Sequence, residues 1–413
     1  MSLLGLSLAY IRARALNAAL NLVLLALGVA TIVLLLLFSA QLEERLTRDA
    51  RGIDLVVGAK GSPLQLILSS IYHLDFPTGN IPLAEAARWR EHPLVAQAIP
   101  LALGDSFAGF RIVGSEGAYV DHYGGALAQG RLWDAPFEAT LGARVAATTG
   151  LGIGDRFVGS HGLAAGGMLH GDHPYDVVGI LAPGAGVLDR LILTSIDSVW
   201  LAHGIDPAEH ALEEDHDEHE HDHAPAAPGE PGGLEITALL LTYNSPLAAI
   251  QLPRTINQET ALQAASPAFE TVRLLGLIGV GLDTLRGFGL LLIATAGLSV
   301  FIALSNAMQE RRYDLAVMRT LGASRRTLLL QPLLEGLILA GGGAVLGIAL
   351  GHGVVELLGR TVPDLQAMGL TGADFRIEEL YLLALAIGVG ALAALLPAIQ
   401  AWRTDIAATL AAH

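Results

Sequence analysis

The sequence contains no cysteine. That excludes disulfide scaffolds, zinc ribbons, thiol catalysis and iron–sulfur clusters. Charge is scarce too: 15% of the 413 residues are Asp, Glu, Lys or Arg, against about 25% in soluble domains. Aromatic residues reach only 5%, and the formal net charge of −16 leaves no basic stripe for nucleic acid. What fills the chain instead is 52% hydrophobic residues and 48 glycines, with a mean hydropathy of +0.52. A Gly-rich apolar chain suits helices packed closely in lipid.

The charge is unevenly placed. Residues 43–282 carry 13 Lys/Arg against 30 Asp/Glu, and the rest of the chain carries 11 against 10. The acidity therefore belongs to one large insert between apolar runs. Ala15 to Leu42 is free of charge for 28 residues, about 42 Å as a helix against a hydrocarbon core of about 30 Å. A signal peptide is the rival reading, because Arg12 and Arg14 precede the run. Its apolar region would be only about 7–15 residues long, so the run reads as an uncleaved anchor. Gly287–Gln309, Thr327–Val355 (interrupted only by Glu335) and Leu380–Trp402 complete a set of four spanning segments.

Orientation follows from the short loops. Arg12 and Arg14 precede the first segment, Arg311, Arg312, Arg319, Arg325 and Arg326 lie between the second and third, and Arg403 follows the fourth. The loop between the third and fourth is acidic, with Glu356, Asp364, Asp374, Glu378 and Glu379 against Arg360 and Arg376. The positive-inside rule puts both termini and the 310–326 loop in the cytoplasm and the insert outside. This implies a multi-pass protein with the insert outside, in the periplasm if the cell is Gram-negative, and the expected location is then the cell inner membrane. The expected fold class is membrane α-helical, four transmembrane helices, with a large extracytoplasmic α+β domain between helices 1 and 2. The domains are 1–42 (tail and helix 1), 43–282 (external domain) and 283–413 (helices 2–4).

Both ends of the external domain read as helical arms. Leu42, Leu46 and Ala50 recur every four residues, and Leu262, Ala265, Phe269, Val272 and Leu275 recur at spacings of three and four over Ile256–Leu285. They form either a stalk or two ordinary domain helices. Between them Phe110–Val113, Asp176–Leu181 and Leu191–Leu193 read as strands. Leu141–Ala146 reads as a strand or turn entering a helix, and Gly152–Arg156 as a turn.

The stretch 210–233 stands apart. It holds His210, His216, His219, His221 and His223, eight acidic residues, and then Ala, Pro and Gly. With almost nothing to bury, it reads as a disordered loop. Imidazole suits Zn²⁺, Cu²⁺ and Ni²⁺, and neighbouring carboxylates raise cation affinity. Loose Zn²⁺ binding and a plain acidic linker are both open readings. His161, His170 and His173 are a weaker set that would join the first.

The most specific run is Asn306 to Arg326, containing Glu310-Arg311-Arg312-Tyr313-Asp314-Leu315-Ala316-Val317-Met318-Arg319-Thr320-Leu321-Gly322-Ala323. Its mixed charges (Glu310, Arg311, Arg312, Asp314, Arg319) and apolar stripe (Leu315, Met318, Leu321) suit docking on a soluble partner, and Gly322 is placed as a helix stop. Positive-inside topology alone explains the arginines but not the stripe or the acids. The run, followed by Leu333-Leu334-Glu335-Gly336 and a Gly-rich helix, resembles the FtsX/MacB-type ABC permeases, and the likeness extends over anchor helix, external domain and three-helix block. Thr140–Ala146 with Gly150–Asp155 is similar to the MacB-like periplasmic core. One departure is Ile406, which stands where the family's C-terminal tail commonly has proline.

The resemblance implies a coupling helix over 310–322 and an ABC ATPase as partner. It further implies a second permease subunit, most simply a homodimer, and work on a periplasmic adaptor, lipoprotein or hydrolase. No cofactor is expected on this chain, ATP and Mg²⁺ belonging to the partner. The sequence has no G-x-x-x-x-G-K-[ST]; Gly58-Ala59-Lys60-Gly61-Ser62 lacks that spacing. The chain is therefore expected not to be an enzyme. Gly343, Gly347 and Gly351 share one helix face, allowing close approach within a subunit or across a dimer. Glu335, inside a spanning segment, is a functional candidate by default; anchoring of the helix bundle is the favoured reading over proton carriage. Three functions compete: a mechanotransmitting ABC permease, a zinc-linked system using the His loop, and a membrane-anchored scaffold.

Overall fold

The computed structural model describes residues 3–161, 173–184, 186–207, 233–362, 365 and 369–403. The chain divides into two units, residues 1–42 with 277–413, and residues 43–276.

Among the described residues four helices are long and apolar enough to cross a membrane, Ala15–Asp49, Pro267–Glu310, Arg325–Thr361 and Glu378–Trp402; the first and second extend from the first unit into the second. They are called the first to fourth long helices below. Each is apolar on nearly every face, as expected of a helix surrounded by lipid or protein rather than water. On the first, Leu25, Val29, Val33 and Leu37 repeat every four residues and are buried, while Leu20, Val23 and Leu27 are exposed. The buried row packs with Ala340 and Ala344 of the third helix, Ile293 and Ala296 of the second, and Leu382 and Ala386 of the fourth. Two shorter helices accompany them, Leu3–Ala13 and Arg312–Thr320. The first of these lies in what the sequence reading took for a tail.

Close approach has a specific cause. A Cβ on Gly343, Gly347 or Gly351 would meet Leu25, Val29 or Val33 of the first long helix at 2.9, 2.6 and 2.7 Å. The stripe thus serves packing within one subunit, which resolves the alternative the sequence left open for these three residues.

The second unit is a mixed α/β domain. Its main sheet runs in the order Leu262–Ala265, Leu55–Ala59, Ala238–Tyr243, Val95–Phe107, Phe110–Gly114, Leu191–Thr194, Glu138–Leu141, Tyr175–Leu181 and Leu127–Gly130. Two of these pairings are parallel, Leu191–Thr194 with Phe110–Gly114 and Glu138–Leu141 with Tyr175–Leu181. The 13-residue strand Val95–Phe107 serves two cores. One core gathers Leu55, Val57, Trp89, Leu239, Leu252 and Ile256. The other gathers Ile112, Leu141, Val145, Phe157, Tyr175 and Ile192. Gly150 at φ +75° ends the helix Ala143–Thr149, a conformation that glycine adopts without penalty.

One sequence expectation is corrected. Ile256–Leu285 is not a single helical arm. Helix Ala248–Glu259 ends first, Leu262–Ala265 is a strand paired with Leu55–Ala59, and the long helix begins at Pro267. Leu262 and Ala264 are buried with Gln263 between them, a strand alternation that the three- and four-residue spacing concealed. Proline then opens the helix, because its fixed φ suits the first turn and its missing N–H is not needed there.

Candidate functional site

The second long helix ends at Glu310, and one residue later the helix Arg312–Thr320 begins. Arg311 between them has φ −94° and ψ 9°, off the helical values, and makes the break. The short helix stops at Gly322, φ +101°, where the N–H of Ala323 reaches back to the carbonyl of Met318. Ser324 then caps the third long helix by accepting from the N–H of Thr327 at 3.2 Å.

The two faces of the short helix have different tasks. Leu315 and Ala316 are buried, and Met318 packs partly buried against Ala307, Met308, Leu315, Leu328 and Ala401. Glu310, Arg312, Tyr313, Asp314, Thr320, Leu321 and Gly322 are exposed, with Arg319 half-buried. This corrects the reading of the stripe as a docking face: Leu315 and Met318 seat the helix on its own bundle, and of the three stripe residues Leu321 alone faces outward. Their heptad-like spacing signals burial whichever partner covers it.

Arg311 is likewise not a surface charge. It is 6% exposed, and its Nη1 donates to Glu335 Oε1 and Oε2 at 3.0 and 3.4 Å. Its guanidinium carbon lies 3.7 Å from the centroid of the Tyr10 ring. Gln331 Nε2 approaches Glu335 Oε1 at 3.5 Å, and Arg14 pairs with Glu310. A buried carboxylate with a guanidinium on it costs less than either ion alone, which gives Glu335 a bundle-anchoring partner.

Sequence reasoning missed Tyr10, which a single aromatic residue in an apolar tail does not announce. It also took Glu379 for a loop acid. Glu379 is 2% exposed and its Oε2 is 2.9 Å from His352 Nε2, while His352 Nδ1 is 2.6 Å from the Gly372 carbonyl. Glu335 is thus not the sole acid buried in the long helices. A histidine within a run of Gly, Ala and Leu was the available signal.

His210, His216, His219, His221 and His223 lie outside the described residues, as do His170, Asp364 and Ile406. His173 is exposed and stacks on Phe137 with centroids 5.0 Å apart. Among the described residues no group of three His, Cys, Asp or Glu side chains is arranged to hold a metal ion.

Residues 286–406 match the model of the FtsX-like permease C-terminal family, and residues 18–216 match the MacB-like periplasmic core domain. The macrolide export ATP-binding/permease protein MacB of Hyphomonas neptunium is 31% identical over 138 residues. That stretch is 32% of this chain and 20% of the relative, so the chain spans about a fifth of the relative's length. The periplasmic region of MacB from Actinobacillus actinomycetemcomitans aligns with a TM-score of 0.33 at 13% identity, over 55% of this chain and 95% of that one. The extracellular domain of the noncanonic ABC-type transporter YknZ from Gram-positive bacteria gives 0.30 at 12%, over 51% and 98%.

Proposed function

Because the chain is an FtsX/MacB-type ABC permease, we propose that it is the subunit that carries force from a separate ATPase to its periplasmic domain. The observation that supports this best is the short helix Arg312–Thr320. Its inner face is fixed by Leu315, Met318 and the Arg311–Glu335 pair, while its outer face offers Arg312, Tyr313, Asp314 and Leu321. A lever needs one face held firmly and the other exposed to its driver. The first long helix is continuous from Ala15 to Asp49 and the second from Pro267 to Glu310. At 1.5 Å per residue, each is much longer than the ~30 Å hydrocarbon core. Such helices move as rods, so a push at 310–322 reaches the residues at their far ends.

In this reading both termini and the 310–326 loop are cytoplasmic in an inner membrane, and a second permease subunit completes the pair. The work done is of the export, efflux or lipoprotein-release kind, on an adaptor, lipoprotein or hydrolase. ATP hydrolysis belongs to the partner. The test is charge reversal at Arg312 and Asp314 together. The ATPase should then no longer co-purify while the permease keeps its thermal stability; unchanged co-purification with normal hydrolysis rejects the docking role.

A second reading rests on the alternation His219-Glu220-His221-Asp222-His223, which suits several loosely held Zn²⁺ ions. Calorimetry of the full-length protein with and without residues 210–233 decides it. Zinc heat should disappear with the deletion and weaken as pH falls through about 6.5, because only neutral imidazole coordinates. Equal heat after deletion leaves a plain linker.

A further inference from the structure

We propose that the N-terminal helix Leu3–Ala13 positions the short helix Arg312–Thr320, with Tyr10 as the positioning residue. The inference rests on the coupling role argued above and adds a control element to it. The junction between the second long helix and the short helix is a single residue, Arg311, whose backbone is not helical. The direction of the short helix therefore depends on what holds that residue.

Two groups hold the Arg311 guanidinium, through different features of it. The Glu335 carboxylate takes hydrogen bonds from Nη1. The Tyr10 ring lies against the cation at 3.7 Å. A planar cation can satisfy an acceptor in its plane and a π-face together, which an ammonium does less well. The preceding residue, Glu310, is paired with Arg14, just beyond the N-terminal helix. Both residues at the break are thus tied to the N-terminal segment. Further along, Asn21 of the first long helix accepts from Ser299 of the second at 2.5 Å. The N-terminal segment is fastened at three successive levels to the helix that ends in the junction.

Arg311 is nearly solvent-free, so water screens its contact with the ring poorly, and such contacts lie at the strong end of their range. A cavity of about 40 Å³ bordered by Tyr10, Arg14, Asn21, Arg311 and Glu335 adjoins the contact. The ring is therefore not wedged in place, and leucine fits at position 10 without a clash.

The chain lacks cysteine, so label pairs can be introduced without background. In the full-length protein in lipid nanodiscs, Leu321→Cys at the end of the short helix and Leu392→Cys on the fourth long helix carry spin labels. Both sites are exposed. Electron–electron distance measurement should give one narrow distribution for the protein with Tyr10 and for Tyr10→Phe, which keeps the π-face. Tyr10→Leu, and Arg311→Lys as a second variant that keeps the charge, should each shift the ratio of displaced to seated positions roughly tenfold. Distributions for both variants that superimpose on the parent overturn the proposal, and so does a displaced population in Tyr10→Phe. In the complex with the ATPase, Tyr10→Leu should lose stimulated hydrolysis several-fold while retaining the ATPase at the same stoichiometry. If the parent recovers no ATPase, or hydrolysis is unchanged while the labels move, the coupling role fails and positioning stands on the distances.

Discussion

Two polar clusters lie among the same apolar helices, the first buried and the second half-buried around His352, and they differ in what keeps them closed. At one, Arg311 meets Glu335 and Tyr10. At the other, His352 is set between the Gly372 carbonyl and Glu379, with Phe375 stacked on its ring at 4.5 Å. A guanidinium keeps its charge at every accessible pH. The imidazole is different. Both of its nitrogens face oxygen atoms, and the carbonyl can only accept. Closing both hydrogen bonds requires one proton more than a neutral imidazole and a carboxylate possess. The first cluster is therefore permanent and sits at a junction between helices. The second is removable and ties the third long helix to the fourth and to the segment before it.

The contrast predicts unequal costs. Glu335→Ala leaves Arg311 as an uncompensated buried cation and should cost about 3–5 kcal/mol, seen as a large fall in thermal stability in detergent. Glu335→Ala with Arg311→Met should recover most of that loss, because neither charge remains. A double variant no better than the single one would show that the pair is not the source. His352→Gln should cost less, about 1–3 kcal/mol. A cost equal to that of Glu335→Ala would put His352 in the same class as Arg311.

A third comparison sets packing against both clusters. A Cβ at Gly347 lies 2.7 Å from the Ala26 carbonyl oxygen, whereas at Gly353 it meets nothing within 4 Å. Gly347→Ala should destabilise by about 1–3 kcal/mol, while Gly353→Ala should be neutral or stabilising by up to about 1 kcal/mol. Equal effects would remove the close contact with the first long helix from the account.

The smallest effect belongs to the other unit. His73 is buried with Nε2 2.9 Å from the Tyr119 hydroxyl. Burial, then Arg111 and Arg190, hold its imidazole well below the usual value of 6.5. The folded state thus keeps it neutral where the unfolded chain takes up a proton. Its contribution is complete above pH 6.5 and is lost below it, by at most about 1.4 kcal/mol per pH unit. The domain's melting between pH 7.5 and 5 should therefore fall less in His73→Gln than in the parent; parallel curves would remove His73 as a cause.

The four long helices and the insertion of a mixed α/β domain were legible in the sequence, because charge-free runs and an acid-rich insert do not depend on tertiary detail. Phe110–Gly114, Tyr175–Leu181 and Leu191–Thr194 were readable as strands for the same reason, each being a short apolar run between turn residues. What was not legible depends on partners distant in the chain. Leu262–Ala265 carries helical spacing, yet it pairs with Leu55–Ala59 some two hundred residues away. Leu315 and Met318 show an apolar face but not which surface covers it. Arg311 looks identical to Arg312 in sequence; Glu335, 24 residues on, draws one inward and leaves the other exposed. Tyr10 carried no signal, because its role exists only once Arg311 is placed.

The central claim is that the outer face of the short helix receives the ATPase while its inner face is fixed. A photoreactive amino acid at Tyr313, on the outer face, and at Leu346, on an apolar face of the third long helix, tests it in the full-length protein within its native membrane. The account predicts an adduct at position 313 with a subunit that mass spectrometry identifies as an ABC ATPase, and none at position 346. An ATPase adduct at neither position, or equally at both, would contradict it.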